Sequence, residues 1–417
     1  MKRNIIFAAP AVIVGATVAV PFFFGDHPIQ FDRTVPVVSG RSVTTTPSAT
    51  TTSTATAVDP TAAPSEPAGK ATASPTPSET YRGPKVARPW QPGSPEWGVQ
   101  VYWLDDPADP DNYVQGKADR IVKYVVGLNA NSMSISFPFY TKNKTSNLLS
   151  VEPTTPSPDR VALLIDTAHR AGLRTVVRPI LDEHALESPQ GDWRGNIEPA
   201  DRTKWFASYT KLLKPYLKMA EEHRAARFTI GTEFNSLEGD ARWQPLIEQA
   251  KAIYHGRIGY DANWDNYVKG PIAVPLEDIG VDAYFPAKKA GDDAPVSELV
   301  ASWNSWLDKK GKGPLPGTTL TEVGIPAQQG AYQTPGDHYT VRAANDKAQP
   351  TWFTAVCQVA AERKLGGAYF WSTYFGTDPY KAANEKTPRM EFAGRPSSEQ
   401  AIRDCFSTTY QVAEKQG

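Results

Sequence analysis

The chain has 417 residues, enough for one large domain or two ordinary ones and for a sizeable buried core. Its 44 basic and 45 acidic residues nearly cancel, and no run of Lys or Arg forms a positive patch, which argues against a nucleic-acid partner. Trp and Tyr are frequent, at 11 and 17 residues. Exposed rings of this kind serve as flat platforms for ligands such as pyranoses, although most aromatic rings in proteins are core residues.

Residues 1–25 predict export from the cytoplasm. A positively charged start is followed by an apolar run from Ile5 to Phe24, which has the length of a membrane span. The run exceeds an ordinary signal-peptide core and lacks a small-residue cleavage site at its end. We therefore expect an uncleaved signal anchor rather than a removed signal peptide. In both cases the remainder is extracellular or held at the cell surface, and only this segment contacts a membrane.

Residues 26–90 predict a disordered linker. From Arg41 to about Thr80 nearly every residue is Thr, Ser, Ala or Pro, a composition that cannot bury enough apolar surface to offset the entropy of ordering. Pro keeps such a chain extended. The segment is then either a stalk that carries the folded domain away from a membrane or a simple spacer.

Residues 91–417 predict a single (β/α)8 barrel, because β-branched or aromatic runs alternate with amphipathic helical segments. Gly172 and Gly256 lie where helix ends are expected, each within two residues of the start of a predicted strand. No G-x-G-x-x-G follows the first strand, which disfavours an open doubly wound sheet. The eight predicted strands are Trp97–Trp103, Ser132–Tyr140, Arg174–Leu181, Arg227–Phe234, Arg257–Ala262, Ile279–Phe285, Thr318–Val323 and Gly367–Trp371.

Two of the predicted strands carry a glutamate at or near their carboxyl ends, Glu233 on the fourth and Glu322 on the seventh. The active site of such a barrel is built at these ends, and strands four and seven lie on opposite sides of its mouth. A glutamate in apolar surroundings is costly to bury unless it has a partner or a task. Each alone could be a salt-bridged carboxylate, but the pair matches glycoside hydrolysis, which needs one protonated and one ionised carboxyl group.

The ends of four strands together resemble the retaining (β/α)8 glycosidases of clan A. The residues that carry this resemblance are Glu233, Glu322, Tyr284 and Trp371. Within the clan, four short motifs resemble glycoside hydrolase family 113, which is known for β-1,4-mannanase activity. These motifs are Ile230–Phe234, Ala262–Asp265, Ile279–Pro286 and Thr321–Gly324. The similarity extends from about Trp97 to Gly376.

The resemblance implies that Glu233 is the catalytic acid/base and Glu322 the nucleophile. It also implies that Tyr284 donates a hydrogen bond to the nucleophile and that Trp371 forms the floor of the subsite for the attacked sugar. β-Mannan is the substrate that the family suggests.

The residue that would recognise the sugar 2-hydroxyl differs from the one found in most of the clan. Most members have Asn directly before the acid/base, where it holds that hydroxyl, whereas this chain has Thr232. Asn263, at the end of the fifth strand, and Asn235 are the two alternatives that the sequence offers for this contact.

Further substrate-binding candidates lie at other strand ends. Arg178 on the third strand could bind substrate or neutralise a buried acid, and that acid could be Glu322. Trp193 and Tyr332, in long loops, could be cleft walls or loop filler. The remaining candidates are Trp103, Asp182, Glu183, His184, Trp264, Asp265 and Asp282.

Cofactors and a structural metal are not expected, because two carboxylates suffice for this chemistry and no Cys/His cluster has the spacing of a zinc site. Cys357 and Cys405 are the two cysteines of the chain. In an oxidising compartment they could form one disulfide, and the alternative is a pair of free thiols.

The leading hypothesis is a monomeric retaining glycoside hydrolase that cleaves a β-linked polysaccharide or oligosaccharide, in endo or exo mode. One alternative is a surface carbohydrate-binding barrel that has lost turnover, since a fold does not prove activity. Another is a transglycosylase that remodels envelope glycan, in which a sugar hydroxyl replaces water as the acceptor.

Overall fold

The computed structural model describes residues 82–182, 186, 191–337 and 339–414, and within them eight parallel strands alternate with eight helices. The strands are β1 (Glu96–Tyr102), β2 (Ser132–Thr141), β3 (Arg174–Leu181), β4 (Arg227–Thr232), β5 (Arg257–Asn263), β6 (Asp278–Asp282), β7 (Thr319–Val323) and β8 (Gly367–Tyr374). The helices are α1 (Asp111–Gly127), α2 (Pro158–Ala171), α3 (Arg202–Glu222), α4 (Trp243–Lys251), α5 (Trp264–Lys269), α6 (Val296–Leu307), α7 (Ala348–Glu362) and α8 (Pro396–Phe406). All eight predicted strands are present.

The eight strands form a closed barrel. Each pairs in parallel with the next along the chain, and β1 pairs with both β2 and β8. A two-residue strand, Leu149–Ser150, adds an antiparallel pair to the end of β2. The carboxyl ends of all eight strands therefore lie at one mouth, where residues far apart in sequence meet.

Helix α2 shows how local sequence sets the repeating unit. The Ser157 side chain accepts a hydrogen bond from the Arg160 amide at the amino end, and Gly172 ends the helix in the left-handed conformation, at φ 88°. Strand β3 begins two residues later. The same role predicted for Gly256 is wrong, because α4 ends at Lys251 and its C-cap residue is Ala252, in the right-handed conformation.

Residues 82–90, part of the predicted linker, lie against the barrel. The Val86 amide donates to the Ala171 carbonyl at 2.9 Å, and the Arg88 guanidinium donates to the Ser407 carbonyl at 2.8 Å. The folded part thus begins before residue 91. The predicted anchor and the remainder of the linker lie outside the described residues.

Cys357 on α7 and Cys405 on α8 form a disulfide, with their Cα atoms 5.5 Å apart. It ties the last helix to the helix that precedes β8. Within the described ranges, no helix combines the length and the apolar character needed to cross a bilayer.

Candidate active site

Glu322, on β7, is held by two side chains from neighbouring strand ends. The Tyr284 hydroxyl donates to Oε1 at 2.5 Å, and Nη1 of Arg178 lies 2.8 Å from Oε2. All three residues are less than a tenth exposed. The ion pair and the hydrogen bond together fix the orientation of the Glu322 carboxylate.

Arg178 is the centre of a buried ionic network beneath the mouth. Besides Glu322, its Nε donates to Asp261 Oδ2 at 2.9 Å and its Nη2 to Asp282 Oδ2 at 2.7 Å. Arg227 also donates to Asp261, at 2.9 Å. The expected neutralisation of a buried acid by Arg178 is therefore present, and it extends to two further carboxylates.

Asp282 has no exposed surface. Its second oxygen accepts a hydrogen bond from the Thr321 hydroxyl at 3.1 Å. Burial raises the pKa of Asp282 well above its ordinary value; Arg178 opposes this effect, and the nearby carboxyl groups, Glu322 foremost, reinforce it. This predicted substrate-binding residue thus lies in the network under the site.

Glu233 follows β4 directly and has a left-handed backbone, at φ 55°. A non-glycine residue in this region costs of order 1 kcal/mol, and such strain is concentrated at functional sites. The Glu233 amide donates to the Asp261 carbonyl at 2.8 Å, which anchors the turn. Each oxygen of the side chain has a partner: Asn263 Nδ2 donates a hydrogen bond to Oε1 at 3.0 Å, and Nη1 of Arg194 forms an ion pair with Oε2 at 3.7 Å.

The surroundings of Glu233 favour its protonated form more than water does. Burial raises the pKa of Glu233, Arg194 lowers it and Glu322 raises it again; the combined effect is a pKa of about 7. A carboxyl group with this pKa exchanges its proton at neutral pH, as a general acid/base must.

Tyr284 keeps its proton at neutral pH. Burial and the adjacent carboxylate of Glu322 raise its pKa well above the ordinary value of 10. The phenol is therefore a permanent hydrogen-bond donor to Glu322.

Aromatic rings line the end of β8 and the neighbouring end of β1. Trp371 lies against Tyr102, with ring centroids 5.7 Å apart, and Tyr102 in turn meets the edge of Tyr374. Trp103, a predicted platform, stacks on Phe375 at 3.8 Å and is 1% exposed. Its faces are thus engaged within the protein.

The predicted residues after β5 serve packing and local order. Trp264 packs against Trp306 at 5.1 Å and is 6% exposed. The Asp265 amide donates to Asn263 Oδ1 at 3.1 Å, and Asp265 Oδ1 accepts from Asn235 at 3.2 Å. Asn263 is thereby oriented towards Glu233, whereas Asn235 is bonded to Asp265.

The other loop candidates divide into buried residues and residues outside the described part. Trp193, Tyr332 and Asp182 are each less than a tenth exposed, and Tyr332 stacks on Trp352 at 6.2 Å. Glu183 and His184 lie outside the described residues. The hydroxyl of Thr232, the residue before Glu233, is buried and has no hydrogen-bond partner among the described residues.

Sequence reasoning missed two charged residues of the site. Asp261 lies within the predicted fifth strand, and a charge inside an apolar strand is a signal that could have revealed it. Arg194 lies in the loop after β3, where an arginine gives no such signal. Across the described residues, no group of His, Cys, Asp and Glu is arranged to hold a metal ion.

The mouth of the parallel barrel holds two buried carboxyl groups, from the ends of β4 and β7, in contrasting surroundings. Glycoside hydrolases use such a pair, and the chain belongs to this class of enzyme. Residues 107–389 match the model of Glycoside Hydrolase Family 113, and the chain is a member of that family. No curated protein matches the chain in sequence.

Solved structures of the family share the fold. The GH113 β-mannanase AaManA from Alicyclobacillus acidocaldarius, in complex with ManMIm, is 19% identical, with a TM-score of 0.60; the match covers 79% of this chain and 99% of that one. A second GH113 β-1,4-mannanase is 18% identical, with a TM-score of 0.61, over 75% of this chain and 98% of that one. At this identity the similarity establishes the barrel.

Proposed function

We propose that the protein is a retaining β-mannanase that cleaves β-1,4-linked mannan with Glu322 as nucleophile and Glu233 as acid/base. The observation that carries the proposal is the contrast between the two carboxyl groups. Glu322 forms an ion pair with Arg178 and accepts a hydrogen bond from Tyr284, whereas the pKa of Glu233 is raised to about 7, chiefly by burial. Family membership and the β-mannanases of similar fold support the choice of substrate.

In the first half of the reaction, an oxygen of ionised Glu322 attacks the anomeric carbon and forms an ester bond. The glycosidic bond breaks, and Glu233 gives its proton to the departing oxygen. Tyr284 and Arg178 hold the attacking carboxylate in one orientation, so little reorganisation is needed when the bond forms.

In the second half, water attacks the same carbon from the vacated face, while Glu233, now ionised, takes a proton from it. The bond between Glu322 and the sugar breaks, and both glutamates return to their starting protonation states. Two displacements leave the anomeric configuration unchanged.

Trp371, for which the family resemblance implies the subsite floor, is 0% exposed and packs against Tyr102. Substrate contacts are proposed for Tyr284 beside the attacked sugar and for Thr232 towards the sugar 2-hydroxyl. The buried Thr232 hydroxyl without a partner supports the last assignment, since a bound sugar would satisfy it. Asn263, bonded to Glu233 and to the Asp265 amide, instead orients the acid/base. The apolar run from Ile5 to Phe24 supports an extracellular or surface-held enzyme.

Product analysis tests the proposal. The purified protein is incubated with β-1,4-mannan, β-glucan, xylan and envelope polysaccharide, and the products are identified by mass spectrometry and NMR. Release of mannooligosaccharides with the β configuration is expected. Binding to mannan without release would favour the non-catalytic alternative, longer oligosaccharides without new reducing ends would indicate transglycosylation, and an initial α product would overturn the retaining mechanism.

A further inference from the structure

We propose that Arg194 is a positioning residue, which holds one oxygen of the Glu233 carboxyl group and favours the ionised form required in the second half of the reaction. The inference rests on the proposed function, because it takes Glu233 as the acid/base. Arg194, which lies in a loop and not at a strand end, would then set the balance between the protonated and ionised forms of Glu233 that the two half-reactions need.

The geometry places the two side chains of Arg194 and Asn263 on different oxygens of Glu233. Nη1 of Arg194 lies 3.7 Å from Oε2, and the Asn263 amide donates to Oε1 at 3.0 Å. Arg194 is 2% exposed and Glu233 is 6% exposed. At such burial a unit charge is screened much less than at the surface, so the arginine acts strongly on its neighbour.

The loop after β3 that carries Arg194 is held in place by hydrogen bonds. Arg194 begins a short 3-10 helix, Arg194–Asn196, in which Asn196 Oδ1 accepts from the Trp193 amide at 2.8 Å. The next residue, Ile197, accepts a hydrogen bond from the Ser236 hydroxyl at 2.6 Å. Because Ser236 follows Glu233 by three residues, the loop that carries the arginine is bonded to the segment that carries the acid/base.

The charges around Glu233 act in opposite directions. After burial, which raises the pKa of Glu233, Arg194 has the largest effect and lowers it; Glu322 and Asp265 raise it, and Arg178 lowers it. Without Arg194 the carboxyl group would therefore hold its proton more tightly. That would leave the first half-reaction intact and hinder the second, in which Glu233 must accept a proton.

The variant Arg194→Met, made in the full chain, separates these two steps. On β-1,4-mannohexaose, the alkaline limb of kcat/KM should move upward by about one pH unit. On 2,4-dinitrophenyl β-mannobioside, whose leaving group needs no proton, kcat should fall up to about tenfold near neutral pH. KM should fall in parallel because the glycosyl-enzyme accumulates. Azide should restore the rate, since it attacks without a general base.

A purely structural role predicts a different outcome: an unchanged pH limb and equal losses on both substrates, which would overturn the proposal. Arg194→Lys retains the charge and should keep the limb near its wild-type position. Arg194→Gln removes the charge but retains polar contacts, and it replaces the Met variant if that variant does not fold. Arg363→Met is the matched control, because this buried arginine bonds Asp308 and the Gly311 carbonyl away from the site.

A titration without turnover separates this inference from the proposed function. The carboxyl carbons of glutamate are labelled with 13C, and Glu233→Gln identifies the signal of Glu233. A higher Glu233 pKa in Arg194→Met than in the wild type is expected, even if the enzyme degrades no mannan. An unchanged pKa would refute the role of Arg194 while leaving the glycosidase assignment intact.

Discussion

Arg178 and Glu322 form a buried ion pair, with Nη1 of the arginine 2.8 Å from Oε2 of the glutamate. The same guanidinium binds Asp261 and Asp282, so one residue of β3 joins carboxylates from β5, β6 and β7. Buried charges need such pairing, because their separate desolvation is expensive. The ion pair therefore links the structural integrity of the barrel mouth to the position of the Glu322 carboxylate.

Substitution of Arg178 by Met should destabilise the fold by about 3 to 5 kcal/mol, because it strands carboxylates that remain buried. Equilibrium unfolding in urea measures this change. Arg202→Met is the control: that side chain is 40% exposed and pairs with Asp240, so its loss should cost about 1 kcal/mol or less. Equal losses for the two variants would show that the network contributes little to stability.

Tyr284→Phe removes the phenol that bonds Glu322 and should lower kcat about ten- to a hundredfold, the usual range for a lost hydrogen bond to a charged group. Steady-state kinetics with a mannan oligosaccharide measure the effect. Tyr267→Phe is a matched control, because its buried phenol bonds Thr318, which directly precedes the amino end of β7. If both variants retained wild-type kcat, the Tyr284 bond would have no catalytic part.

The pH dependence of kcat/KM should show an alkaline limb near pH 7. Burial raises the pKa of Glu233 to about 7, and a general acid acts only while protonated, so activity falls as the pH rises through this value. Oligosaccharides with poor leaving groups should show the limb. In Glu233→Gln, the first step with aryl glycosides that need no proton should show no alkaline limb. A limb that persisted in this variant would belong to another group.

The sequence predicted the barrel because strand and helix patterns are local, and each strand end could be located from where an apolar run stops. That placed Glu233 and Glu322 at the mouth before any contact was known. The prediction that Gly256 ends a helix was wrong, because a glycine between a helix and a strand need not be the residue that ends the helix. The helix here ends earlier, at Lys251.

The partners of the glutamates were harder to predict. Arg178 was accessible to reasoning, because a charge inside an apolar strand needs a buried counter-ion. Arg194 was not, because its approach to Glu233 depends on the path of the loop after β3 and on the bond between Ser236 and Ile197. Such long-range loop geometry is not encoded in the spacing of residues.

Substitution of each glutamate by alanine should distinguish the nucleophile from the acid/base. Glu322→Ala should abolish turnover of all substrates, because no ester with the enzyme can form. Azide should restore activity with activated glycosides, since the small anion fills the vacated space and attacks once, which gives a product of inverted configuration. Glu233→Ala should spare the first step for substrates with very good leaving groups, because these need no proton. Azide should then capture the glycosyl-enzyme and give a product of retained configuration.

NMR of the glycosyl azides distinguishes the two outcomes, and stable folding of both variants is checked by their thermal unfolding. The expected difference follows from the contacts: Glu322 is held in place by its ion pair with Arg178 and the hydrogen bond from Tyr284, whereas Glu233 has a pKa of about 7 and can exchange a proton at neutral pH. Exchanged rescue patterns would reverse the two roles. Inverted configuration in the initial product of the wild-type enzyme would instead mean that a single displacement operates, with water rather than Glu322 attacking the sugar.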